Sequence, residues 1–256
     1  MKYELSQQQY VDFLNSLTQD QATPRCPSNN LHRFTITGSA VGSYATSNPY
    51  VPCNYLHWYD VTAFLDRSGL RPMTELEFEK ACRGTAGAVA NEYAWGTTTV
   101  TGTGYTYNNY GATNEVIASN YSTTAGNAAY DVTVGDGPLR GGIFAATSGN
   151  SGRITSGASF YGIMELSGNL YEHIVSVGDP SGRVYTGVHG NGSITAAGMA
   201  DVTNWPLGVN IAGTGFRGGQ FAVGNTELPV SDRSLAAYNR AIRTATYGGR
   251  GVRTAP

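Results

Sequence analysis

Ser167-Gly168-Asn169-Leu170-Tyr171-Glu172 places an amide oxygen, a carboxylate and turn carbonyls within six residues. Hard oxygen donors so grouped suit Ca²⁺. Asn120 and Asp131 offer a second pair of such donors. The plainer reading of the first group is a turn capped by Asn169 and an arginine partner for Glu172. The C-terminal stretch points to recognition rather than catalysis. Between Gly215-Phe216-Arg217-Gly218-Gly219-Gln220-Phe221 and Tyr247-Gly248-Gly249-Arg250-Gly251-Val252-Arg253, side chains of mixed size and polarity follow one another with no sustained period. The candidate ligand-contacting residues are Phe221, Val223, Asn225, Ser234, Leu235, Tyr238, Asn239, Arg240, Ile242, Thr244, Thr246 and Tyr247. Tyr and Arg dominate binding hot spots, and Ser, Asn and Gly add adaptable hydrogen bonds. Varied side chains held out by a rigid scaffold are how binding surfaces are built.

Catalysis has less support. Asp60, Glu75, Glu77 and Glu79 stand where carboxylates cap helix starts and favour the macrodipole. Cys26, Cys53 and Cys82 lack metal-ligand spacing; a Cys26–Cys53 disulfide with one thiol left over is one reading, and an odd count gives no argument for secretion. His32, His57, His173 and His189 are not in ligand spacing either. Asp232-Arg233 reads as an internal ion pair fixing the display loop. Arg217 and Arg253 read as structural, and Trp58, Trp95 and Phe78 as core.

The elements that must position these residues are few. Ser6 with Gln9 forms a capping box, and Tyr10, Phe13, Leu14 and Leu17 follow at helical spacing. A second helix starts near His57 with Trp58, Val61, Phe64 and Leu65 on one face and Gly69 at its end. A third opens at the Thr74/Glu77 box and closes at Gly84. No further helix is expected. From Tyr93 to Gly213 the chain is rich in Gly, Thr, Asn and Ser, and such long irregular stretches occur where they are functional or pinned by a metal or partner. The aromatic-Arg-Gly-Gly segment around Phe216 reads as a central strand. One α+β domain spanning 1–256 is expected, with residues 216–256 as its display segment.

A formal net charge of −2 gives no reason to expect nucleic acid, and no apolar run would insert into a membrane. Arg233, Arg240, Arg243, Arg250 and Arg253 crowd the end of the chain, which favours carboxylate, phosphate or acidic-glycan partners. Met1-Lys2-Tyr3-Glu4-Leu5 opens directly in a strand-like segment. It reads as the interior of a longer chain whose export signal lies upstream, with an extracellular or cell-surface location.

Asn54-x-x-x-Trp58-Tyr59-Asp60, Arg71-Pro72-Met73-Thr74-Glu75 through Arg83-Gly84, Tyr93-Ala94-Trp95-Gly96, Tyr161 through Glu172, and Phe216-Arg217-Gly218-Gly219 occur in that order. On these motifs the sequence resembles the formylglycine-generating-enzyme (sulfatase-modifying factor) family over nearly its whole length. The resemblance implies that family's variant of the C-type lectin fold: a few helices, small mixed sheets and much irregular structure. It also implies calcium at the Asn169/Glu172 loop, and that the family's first strand is missing before Met1. Enzymes of the family use two cysteines just after the Arg-Gly-Gly motif to hold copper and oxidise a substrate cysteine, chemistry that needs a thiolate. Here Gln220-Phe221-Ala222-Val223-Gly224-Asn225 follows, and no cysteine occurs after Cys82. No copper is expected.

The sequence is also similar to the variable proteins of diversity-generating retroelements, which use the same lectin-like fold and vary residues after the Gly-Gly strand. Adenine mutagenesis does not reach Lys, Gln, Glu, Met or Trp, and none of these occurs from Leu228 to Pro256. The resemblance implies a non-enzymatic binding protein with a protein or glycan ligand on another cell or surface. Two alternatives stand beside it: an enzyme of the family with altered chemistry, and a self-assembling fibre or surface-layer subunit whose loops carry glycans at Asn120-Tyr121-Ser122 and Asn191-Gly192-Ser193.

Overall fold

A computed structural model describes residues 1–254 except residue 132. The last two residues of the expected display segment lie outside the described residues. The three helices read from the sequence are α1 (Gln7–Asn15), α3 (Trp58–Arg67) and α4 (Glu75–Arg83). Each starts on a closed capping box, in which the N-cap side chain of Ser6, His57 or Thr74 accepts the N3 amide and the N3 side chain returns to the cap. That arrangement satisfies two otherwise orphaned donors at each helix start.

Three further helices correct the expectation of only three: α2 (Gln19–Arg25), α5 (Ile143–Ala146) and α6 (Pro180–Arg183). The first also carries a capping box, Thr18 with Gln21, but encloses Pro24 and buries only Ala22 and Arg25, so it has no apolar stripe to read. The other two are single turns held by their surroundings.

The principal sheet has the order β4 (Thr214–Arg217), β3 (Tyr171–Val175), β5 (Tyr247–Gly248). In it β3 pairs antiparallel with β4, Phe216 opposite His173, and parallel with β5, Tyr171 opposite Tyr247. All five residues of β3 are buried. The Phe216 segment is therefore an edge of this sheet rather than its centre, and the strand ends at Arg217. Gly218 and Gly219 turn the chain away, and a Cβ on Gly219, at φ +71°, would lie 2.7 Å from Leu228 Cδ1. A separate antiparallel pair, β1 (Thr106–Asn108) and β2 (Val116–Ser119), sits within the long polar stretch. No helix among the described residues is long and apolar enough to cross a membrane.

The largest core cluster joins α1, α3 and the loops around Phe34 and Trp205, and a second gathers Met73, Phe78, Cys82, Ala94, Leu166, Ile174 and Val230. Trp58, Trp95 and Phe78 are all buried, as their positions implied. The two ends of the chain meet: the Met1 ammonium donates to Gly251 O at 2.6 Å and Leu5 N to Gly249 O at 2.9 Å. Beneath this seam Arg250 is fully buried, with its Nε 2.7 Å from both carboxylate oxygens of Glu172 and its NH groups donating to Lys2 O and Met164 O. Two more buried carboxyls, Glu4 and Glu165, face the same guanidinium.

Candidate functional site

The display segment stands on an aromatic platform. Tyr171 from β3, Phe216 from β4 and Tyr247 from β5 pack together beside His173. Ring centroids are 4.2 Å apart for Phe216 and Tyr247 and 4.5 Å for His173 and Phe216. Burial lowers the His173 pKa to about 3, so the ring is neutral and its Nε2–H donates to Leu56 O at 3.2 Å. The Tyr171 hydroxyl donates to the Glu227 carboxylate, tying the short turn Asn225–Glu227 to the platform.

Above it the chain from residue 231 to 246 is irregular but fastened at both ends. Arg233 reaches Glu75 Oε1 at 2.8 Å, where the same oxygen accepts the Val177 and Gly178 amides. Glu75 Oε2 receives Arg217 at 3.3 Å. At the other end Arg243 grips Asp60 through Nε and an NH group, both at 2.7 Å, and also donates to Pro24 O. Burial opposes the Arg243 charge, but the Asp60 hydrogen bonds and charge outweigh it and raise the arginine pKa. Backbone bonds add to these anchors: Phe216 N to Leu235 O at 2.9 Å, Tyr55 N to Thr244 O at 3.0 Å and Tyr171 N to Thr246 O at 2.9 Å.

Between the anchors Tyr238 is 38% and Ile242 43% exposed, and Ser234, Asn239 and Arg240 also face solvent. Arg240 donates its Nε to the Tyr238 hydroxyl at 2.7 Å, and Asn239 Nδ2 donates to Asn210 O at 3.1 Å. These bonds hold the side chains in place before any ligand arrives. Thr244 and Thr246 are half-buried and bonded to each other. Leu235 and Val223 pack sideways onto the platform, and Asn225 lines a separate cleft with Asn91, Tyr93 and Thr98. Phe221 and Tyr247 are buried, so they support the surface from below.

The anchoring residues were only partly visible in the sequence. Asp60 and Glu75 do begin helices, yet each also ends an ion pair reaching more than 150 residues along the chain, and no local pattern signals that. The expected Asp232–Arg233 pair is not formed: Asp232 turns back to accept Ser234, and Arg233 goes to Glu75. Arg217 is structural, bonded to Glu75, Glu79 and Val230 O. Arg253 is exposed, and the buried arginine of that stretch is Arg250.

The Asn169/Glu172 loop does not fit a calcium ion. Asn169 Oδ1 accepts Leu139 N at 2.7 Å and its Nδ2 donates to Glu4 at 2.6 Å, while Arg250 neutralises Glu172. A cation here would have to disturb these bonds and sit beside a buried guanidinium, whose charge opposes it. Asn120 spends its Nδ2 on Gly104 O, and Asp131 is exposed. No group of three or more His, Cys, Asp or Glu arranged to hold a metal occurs among the described residues. Cys26, Cys53 and Cys82 are free thiols, and burial raises the pKa of each.

Among solved structures the chain is similar to Treponema denticola variable protein 1, with 14% identity over 96% of this chain and 80% of that one and a TM-score of 0.49. No curated protein matches it. Residues 1–255 match the family described as sulfatase-modifying factor enzyme 1-like domain. The chain belongs to that family and has its α+β, C-type lectin-like fold.

Proposed function

We propose that this protein is a non-enzymatic recognition protein whose ligand meets the surface made by Ser234, Tyr238, Asn239, Arg240 and Ile242. The observation that carries the reading is the contrast within one short stretch: side chains that face solvent lie between two buried-carboxylate anchors and over a packed aromatic platform. Such a segment can change its exposed residues without disturbing the core. The absence of Lys, Gln, Glu, Met and Trp from Leu228 onward accords with diversification of this surface. The ligand is a protein or glycan on another cell or surface, and the protein works outside the cell. The missing thiols after Gly219 argue against the oxidase chemistry of the family's enzymes.

The test is a glycan array and a cell-binding assay run on the wild type and on a variant with Tyr238, Arg240 and Ile242 changed to alanine. Binding should fall at least tenfold, because hot-spot Tyr and Arg residues each contribute about 2 kcal/mol or more. Undiminished binding by a folded variant places recognition elsewhere. Oxidation of the cysteine in a sulfatase-motif peptide, in the presence of copper and oxygen, would overturn the non-enzymatic reading.

A further inference from the structure

A cleft of about 640 Å³ lies over the first residues of the chain, and none of the exposed residues 234–242 lines it. Its volume falls in the range of small-ligand sites, roughly 300–1,000 Å³. Tyr3, 40% exposed, and Tyr50, 55% exposed, supply aromatic wall, and Lys2 and Arg140 also line it. The Tyr3 ring lies along the backbone of Gly141 and Gly142, and a Cβ on Gly142 would come within 2.8 Å of it. Neither cation forms an ion pair among the described residues. Arg140 spends only its Nε, on Glu115 O at 2.8 Å, and the Glu115 carboxylate belongs to Arg33. Glu4 turns its oxygens inward to Asn169 and Leu170 N. Glu165 lies within electrostatic range of Arg140 but is buried, bonded to Gly142 N. The rest of the wall is Met1, whose ammonium is held by Gly251 O, and the polar Ser6, Gln8, Thr113 and Gln9; Gln9 Oε1 caps Ser6 N, and its amide N–H groups have no partner among the described residues.

We propose that this cleft binds an acidic sugar residue, a uronic or sialic acid, with its carboxylate between Lys2 and Arg140 and its ring against Tyr3 and Tyr50. Two cations with no carboxylate partner among the described residues, Lys2 lying 5.4 Å from the centroid of the Tyr3 ring, favour an anion in a chain of net charge −2. Exposed tyrosine faces accept the C–H face of a pyranose, and the amide and hydroxyl groups of the wall match ring hydroxyls. A flat aromatic acid would leave those polar groups without partners.

Sodium glucuronate, N-acetylneuraminate, methyl glucoside and benzoate are titrated into the protein and followed by NMR. One or both sugar acids should bind roughly tenfold more tightly than methyl glucoside, with affinity falling as salt rises. Lys2→Gln and Tyr50→Ala each alter an exposed side chain and should each weaken that binding roughly tenfold at an unchanged melting temperature. The alanine variant of the display surface should bind the acid as the wild type does, which separates this site from the recognition surface. The proposal is overturned if neither acid binds saturably, if methyl glucoside binds equally, if benzoate binds more tightly, or if both cleft variants bind like the wild type.

Discussion

Glu165 gives a quantitative handle on the buried charge cluster. It is 7% exposed, its Oε1 accepts the Gly142 amide at 2.7 Å, and its Oε2 has no partner among the described residues. Burial raises its pKa from 4.5 to about 7, against the pull of that amide and of Arg250, and with a further push from Glu172. The folded protein therefore holds a proton here that the unfolded chain releases, so stability falls as pH rises through the window from 4.5 to about 7. The shift corresponds to about 3 kcal/mol between pH 4 and pH 8. Glu165→Gln removes the titration. Its amide adds a pH-independent cost of about 1–3 kcal/mol if its N–H groups stay unpaired. The quantity to measure is thus the stability difference between variant and wild type, by urea denaturation at several pH values. That difference should move by about 3 kcal/mol in favour of the variant from pH 4 to pH 8. Because Glu4 and Glu172 share Arg250, the change reports the cluster as a unit. A difference that stays flat across this range would refute the assignment of a neutral, buried carboxyl at Glu165.

Three further outcomes test the anchors and the loops. Arg243→Ala should cost about 2 kcal/mol in denaturant melts, because Asp60 stays buried with Arg25 as its remaining arginine, whereas Arg240→Ala should cost under about 0.5 kcal/mol. Gly219→Ala should destabilise by about 1–3 kcal/mol, since alanine is strained at this positive φ and its methyl meets Leu228; a neutral result would show that the turn relaxes freely. A chelator should leave the melting temperature unchanged, while Glu172→Ala, by stranding Arg250, should lower stability by about 3–5 kcal/mol with or without chelator. A melting temperature that falls in chelator would restore calcium to the loop.

What the sequence made legible was what is local. Ser6/Gln9 and Thr74/Glu77 close within four residues, so the starts of their helices could be placed to the residue. Thr18/Gln21 is the same signal, but Pro24 and the lack of an apolar stripe hid it. In the display segment, polar and mixed composition located the exposed Tyr238, Asn239, Arg240 and Ile242. Composition could not separate them from Phe221 and Tyr247, whose burial depends on strands contributed from 171 to 175 and from 214 to 217. The Asn169/Glu172 loop shows the same limit in reverse. Its oxygen donors are real, and what makes them unavailable is an arginine 78 residues further along the chain.

The seam at Arg250 governs when this chain can fold. Glu4, Glu165 and Glu172 all precede Arg250 by at least 78 residues, and that guanidinium is the cation that offsets all three. Until it arrives, closing the core would bury several carboxyls with no countercharge. β5 and the Leu5–Gly249 bond likewise need residues 247–249 in place. Collapse of the N-terminal helices alone therefore leaves these carboxyls without their countercharge until Arg250 is in place. Contacts that join residues 1–5 to residues 249–251 carry a large loop-closure cost, which slows formation of this seam.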